Sequence, residues 1–142
     1  MKRDYPIQDL ARRLPWKTKC RVIGENNQIY TIIGLDIPQR LVHLHRTGNS
    51  GENITKIIAI ESIKPFLIPL EKMNEDQRKF LITISGASRF SLNGYFSDID
   101  RMWLDSNLIA AIGFLDSEHF DSQGLIQDDL ALDAIQEGGI YG

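Results

Sequence analysis

Four short runs fill most of the first half of the chain: KTKCRVIG, QIYTIIGLD, RLVHLHR and ENITKIIAI, joined by ENN, IPQ and TGNSG. The runs are rich in Ile, Val, Thr and Tyr. The connectors hold Asn, Gly, Ser and Pro, which is the chemistry of strands and turns. The shortness of the connectors is the strongest constraint, because a parallel crossover needs about a dozen residues or more. Neighbouring strands are therefore expected to be antiparallel. In the fourth run Ile57, Ile58 and Ile60 put apolar side chains on both faces, which favours a curled sheet over a flat, one-sided one. The expected form is a five-strand SH3-like roll, with an open meander as the alternative.

Ahead of the strands, Ile7, Leu10, Ala11 and Leu14 follow helical spacing, with Pro6 suited to a first turn and Pro15 to a stop. Arg12 and Arg13 are expected off the apolar face of this helix. After the strands, ESIKPFLIPLEKM carries Pro65 and Pro69, which exclude a regular helix and favour extended or turn backbone. This segment reads as a strap to the second half. There NEDQRKFLITI predicts a helix capped by Asn74, with Glu75 and Asp76 at its positive end. A second helix is expected within DSNLIAAIGFLDSEHF, where Leu108, Ile112, Leu115 and His119 form one stripe and Ser106 or Asp105 caps the start. After Gly124 the LALDAI segment reads as a short extended tail. The fold class is thus α+β: residues 1–70 form a β-roll with a leading helix and the proline strap, and residues 71–142 form a helical part sharing the same core.

At 142 residues, 42% hydrophobic and 25% charged, the chain suits one compact domain. The formal net charge of −3 argues against general nucleic-acid binding, which needs a basic face to displace counterions. A local basic patch is still available from Lys2, Arg3, Arg12, Arg13, Lys17, Lys19 and Arg21, set against a stretch rich in Asp and Glu after Asp98. Of these, Arg12, Arg13 and Lys17 are the candidate contacts for a macromolecular partner. Cys20 stands alone, so no intramolecular disulfide or multi-cysteine metal site is expected. With no signal-like start and no long apolar run, the expected location is the cytoplasm, away from membranes.

SEHFDS places Ser117, His119 and Asp121 close together, but Ser117 and His119 would point about 200° apart on a helix. The structural reading is a packed histidine that closes the helix, with Asp121 capping a turn that delivers Gly124, Leu125 and Ile126 to the core. His43 and His45 share one strand face, a spacing that can chelate zinc, but Val42 and Leu44 claim the core side. The simpler account is two solvent-facing histidines, and neither a metal nor a cofactor is expected. Arg89, Phe90, Tyr95, Arg101 and Trp103 bring arginines beside aromatic rings, the composition that stacks a base and grips a phosphate. They are the candidate small-ligand site.

KPFLIPL, Lys64 to Leu70, and HFDSQGLIQDDLALD, His119 to Asp133, resemble segments of small uncharacterised proteins from phages, prophages and mobile elements of Bacteroidetes bacteria. Members carry K-P-x-L-x-P-L in mid-chain and H-F-D-x-x-G-L-I-x-x-x-L-A-[LI]-D near the end. Ile68 departs from the arginine that members often have. Leu14-Pro15 before the first strand also fits. The resemblance covers roughly half the chain and implies a phage or prophage context in the cytoplasm of a bacterial host, without an activity. The expected function is that of a non-enzymatic accessory protein binding a host or phage macromolecule, a protein before a nucleic acid. The alternative is a binder that sequesters a nucleotide immune signal. A homo-oligomer is compatible with either.

Overall fold

A computed structural model describes residues 4–25, 28–85 and 106–141. Among them are six strands in one sheet and three α-helices: β1 Lys19–Val22, β2 Ile29–Asp36, β3 Leu41–Thr47, β4 Asn53–Ala59, β5 Ile63–Leu67 and β6 Leu132–Asp133, with α1 Ile7–Arg13, α2 Glu75–Ser85 and α3 Ser106–Ser117. The sheet order is β4-β3-β2-β1-β5-β6. The three short connectors produce the antiparallel pairs β1–β2, β2–β3 and β3–β4, as their length requires. The mixed α and β content follows the sequence reading.

The proline strap is more than a connector. Its residues Ile63–Leu67 form β5, antiparallel to β1 in the register Cys20↔Pro65 and parallel to β6 in the register Phe66↔Leu132. A single 3-10 turn, Ile60–Ser62, separates it from β4. Just past β5, Ile68 N–H donates to the His119 carbonyl and Asp121 N–H donates to the Ile68 carbonyl, both at 2.8 Å. The KPFLIPL and HFDSQGLIQDDLALD segments are therefore hydrogen-bonded to each other.

Alternation along the strands sorts core from surface. Cys20, Tyr30, Ile32, Val42 and Leu44 are buried together with Ile7 and Leu10 of α1, and Leu125 and Ala131 from the C-terminal segment enter the same cluster. A second cluster joins α2 to α3 through Met73, Leu81, Ala111, Leu115 and Phe120. Asn74 caps α2 as expected: its Oδ1 accepts from Gln77 N–H at 2.8 Å, while Gln77 Oε1 accepts from Asn74 N–H at 2.9 Å. That reciprocal pair satisfies two donors at the helix start.

Candidate functional site

The basic residues proposed for a partner have different fates. Arg13 is fully buried, so the expectation that it faces outward on α1 is overturned. It lies four residues from Asp9, and its Nε donates to Asp9 Oδ2 at 2.9 Å and its Nη2 to Asp9 Oδ1 at 3.2 Å. Nη2 also donates to the Phe120 carbonyl at 2.8 Å and lies 3.7 Å from Asp116 of α3. Burial works against its charge, but the Asp9 carboxylate more than restores it and holds the guanidinium above its ordinary value. The Tyr5 hydroxyl donates to the same carboxylate at 2.7 Å. Arg12 is part-buried and ties Asp9 to Asp116 at 3.1 Å each. For Asp116, burial raises the carboxyl's pKa against the opposing pull of Arg13 and Arg12. This cluster clasps α1 to α3; of the three predicted contacts, only Lys17 is exposed.

The SEHFDS stretch does not assemble a nucleophilic site. Ser117 Oγ donates to the Phe114 carbonyl at 2.7 Å within its own helix. Asp121 accepts from the Leu125 and Ile126 N–H groups at 2.9 Å, the turn cap expected from sequence. His119 lies past the helix end rather than on its stripe, because its φ of 65° is left-handed. Phe120 N–H donates to the Leu115 carbonyl at 2.9 Å and His119 N–H to the Asp116 carbonyl at 3.1 Å. These two bonds form a Schellman close, with histidine at the position glycine usually takes. The ring is packed all the same, stacked on Tyr141 with centroids 3.6 Å apart and planes 6° apart. Burial first, then Arg13 and Lys19, lower its pKa to about 4, so it is neutral at neutral pH. Cys20 is fully buried, and burial pushes its thiol up to about 12, which leaves it protonated and unreactive.

His43 and His45 lie on the face opposite Val42 and Leu44, as the alternation requires. His45 Nε2 is 3.1 Å from Asn53 Oδ1. Among the described residues no group of three or more metal-capable side chains forms. Arg89, Phe90, Tyr95, Arg101 and Trp103 lie outside the described residues.

The sequence reading passed over the open face of the sheet. Register places Lys19, Thr31, His45 and Thr55 in one row, and Gly34, His43 and Ile57 in the next. A bulge between Ile32 and Gly34 leaves Ile33 outside the regular pairing. Ile57 is 61% exposed and Ile33 57% exposed, so the apolar residues on both faces of the fourth run do not mean that both faces are covered. Beside them, Lys19, Gln28, Ile29, Thr31, His45, Arg46 and Thr47 line a shallow groove of about 510 Å3. The signal for this face was present in Ile57, but periodicity alone cannot say which apolar side meets solvent.

No family model, no curated protein and no solved structure matches this chain.

Proposed function

We propose that this chain is a non-enzymatic accessory protein of phage or prophage origin that works in the cytoplasm of a bacterial host by binding a host or phage protein. On this reading an SH3-like roll with its leading helix is the platform, and the C-terminal helical part buttresses it. The five antiparallel strands, with β1 between β2 and β5 and a 3-10 turn before β5, support the roll. The observation that carries the binding reading is the open sheet face, where Ile33 and Ile57 stand more than half exposed on either side of His43. Ile33 of β2 and Ile57 of β4 flank His43 of β3, so the same face carries exposed apolar side chains on two strands. The groups that chemistry would need are engaged elsewhere: Ser117, Asp121 and Arg13 each hold a backbone carbonyl or amide.

The test is purification of the tagged chain from a Bacteroidetes host carrying the element, followed by native and quantitative mass spectrometry. The expected result is a bacterial or phage protein retained in near-equal amount. A nucleotide retained in place of any protein would replace this reading with the sequestration alternative.

A further inference from the structure

We propose that the groove between the start of α2 and the end of α3 is a docking site for an arginine-bearing segment of a partner protein. It is a second site, on the helix pair, and does not rest on the sheet face. The groove measures about 370 Å3 and is lined by Asp76, Gln77, Phe80, Phe114, Ser117 and Glu118. Asp76 and Phe80 are four residues apart on α2, and Phe114 and Glu118 are four apart at the close of α3, so each pair falls on one flank. Phe80 is 54% exposed. Neither phenylalanine belongs to the buried cluster of Met73, Leu81, Ala111, Leu115 and Phe120 that joins the two helices.

The Phe80 and Phe114 ring centroids lie 4.9 Å apart with planes tilted by 46°. Rings this close touch each other, so a guest lies across them rather than between them. That geometry suits a long side chain better than a compact ammonium ion. The methylene stem covers the rings, and the cationic head runs on to the carboxylates at the rim. Asp76 and Glu118 are both exposed, and no ion pair holds either of them among the described residues. No lysine or arginine lines the groove. A planar guanidinium stacks on a ring and meets a carboxylate with two donors at once, which selects arginine over lysine. A nucleic acid brings phosphates to the same two carboxylates and is repelled.

Selection of a displayed random-peptide library against the full chain tests this. The peptides enriched are expected to carry arginine. Synthetic copies, measured by fluorescence anisotropy, should bind Phe80→Ala and Glu118→Lys about tenfold or more weakly, equivalent to ~1.4 kcal/mol. Phe80→Tyr keeps the ring and should bind as wild type does. Glu75→Lys, exposed on α2 but outside the groove, makes the same charge change as Glu118→Lys and should leave binding intact. Circular dichroism of each variant checks the fold. Peptides without a basic residue, or peptides that bind Phe80→Ala and Glu118→Lys as well as wild type, would overturn the site. Self-association in sedimentation that Phe80→Ala abolishes, with no peptide enriched, would give the groove to a second copy and overturn the partner. Peptide binding that appears only after Arg89→Ala and Arg101→Ala would give it to this chain's own arginines, with the same consequence. No enrichment on any of these chains overturns the proposal. A protein that co-purifies equally with wild type and Phe80→Ala would leave the sheet-face reading standing in every case.

Discussion

Arg13 shows how a charge can belong to a core. The apolar spacing Ile7, Leu10, Leu14 is sound, yet Arg13 falls on the same side, three residues from Leu10 and four from Asp9. A pattern that counts only apolar residues assigns it to solvent. The i,i+4 pairing with Asp9 was readable, but its burial depends on Phe120 and Asp116, far along the chain, which no local pattern supplies. Replacing Arg13 by alanine removes the buried cation from Asp9, leaving it Arg12 and the Tyr5 hydroxyl, and is expected to cost about 3 kcal/mol in denaturant unfolding. The double change Asp9→Leu with Arg13→Met removes both charges and should cost clearly less. Equal losses for the two would show that the pair is not held as described. His119 makes a second residue-scale case. Its folded pKa of about 4 lies below the ordinary imidazole value, so the unfolded chain binds the extra proton between roughly pH 6.5 and pH 4. Its contribution is present above that window and is lost as pH falls through it. Asp116, with a raised pKa, acts in the opposite sense as pH falls. A comparison with His119→Phe, which keeps a ring for Tyr141, isolates the histidine. The variant should gain stability relative to wild type as pH drops from 6.5 to 4, and a pH-independent difference would reject the neutral, buried imidazole.

At the scale of elements, β5 is the piece on which the others converge. Its extended form was legible from Pro65 and Pro69, and the antiparallel strands before it were legible from their connectors. Its place inside the sheet was not legible, because its neighbours β1 and β6 come from opposite ends of the chain. One residue beyond the pair Cys20↔Pro65, the ladder between β1 and β5 is bridged by a side chain. The Tyr141 hydroxyl accepts from Lys19 N–H and donates to the Phe66 carbonyl, each at 2.8 Å. The last turn of the chain thereby latches two strands. Tyr141→Phe leaves a part-buried donor and acceptor unpaired and is expected to lower stability by about 1–3 kcal/mol, read from the thermal or urea midpoint. A silent substitution would mean that water replaces the hydroxyl and the latch contributes nothing. At the other edge, Lys56 sits in register with the buried Leu44 and pairs with Glu25. An inward charge on an edge strand discourages further strand pairing, which points the binding reading towards the face of the sheet rather than its rim.

Over the whole molecule, the question is whether the two apolar clusters fold together. The division at residue 70 suggests a β part and a helical part, but the contacts cross it repeatedly. Leu125 and Ala131 belong to the cluster under the strands. Phe120 packs in the cluster of α2 and α3, while its carbonyl is held by Arg13 of α1. Ile68 exchanges backbone hydrogen bonds with His119 and Asp121 directly after β5. Opening the helix pair would therefore break the bond from Arg13 to the Phe120 carbonyl and the Arg12–Asp116 pair, and these contacts tie one cluster to the other. Leu115 is fully buried in the helical cluster, and Leu115→Ala should cost about 2–5 kcal/mol. If the clusters form one cooperative unit, that loss appears equally in the hydrogen exchange of β3 amides such as Val42 and Leu44, although they touch a different cluster. Protection lost in α3 alone, with β3 unchanged, would show that the helical part opens by itself and that the clasp does not couple them.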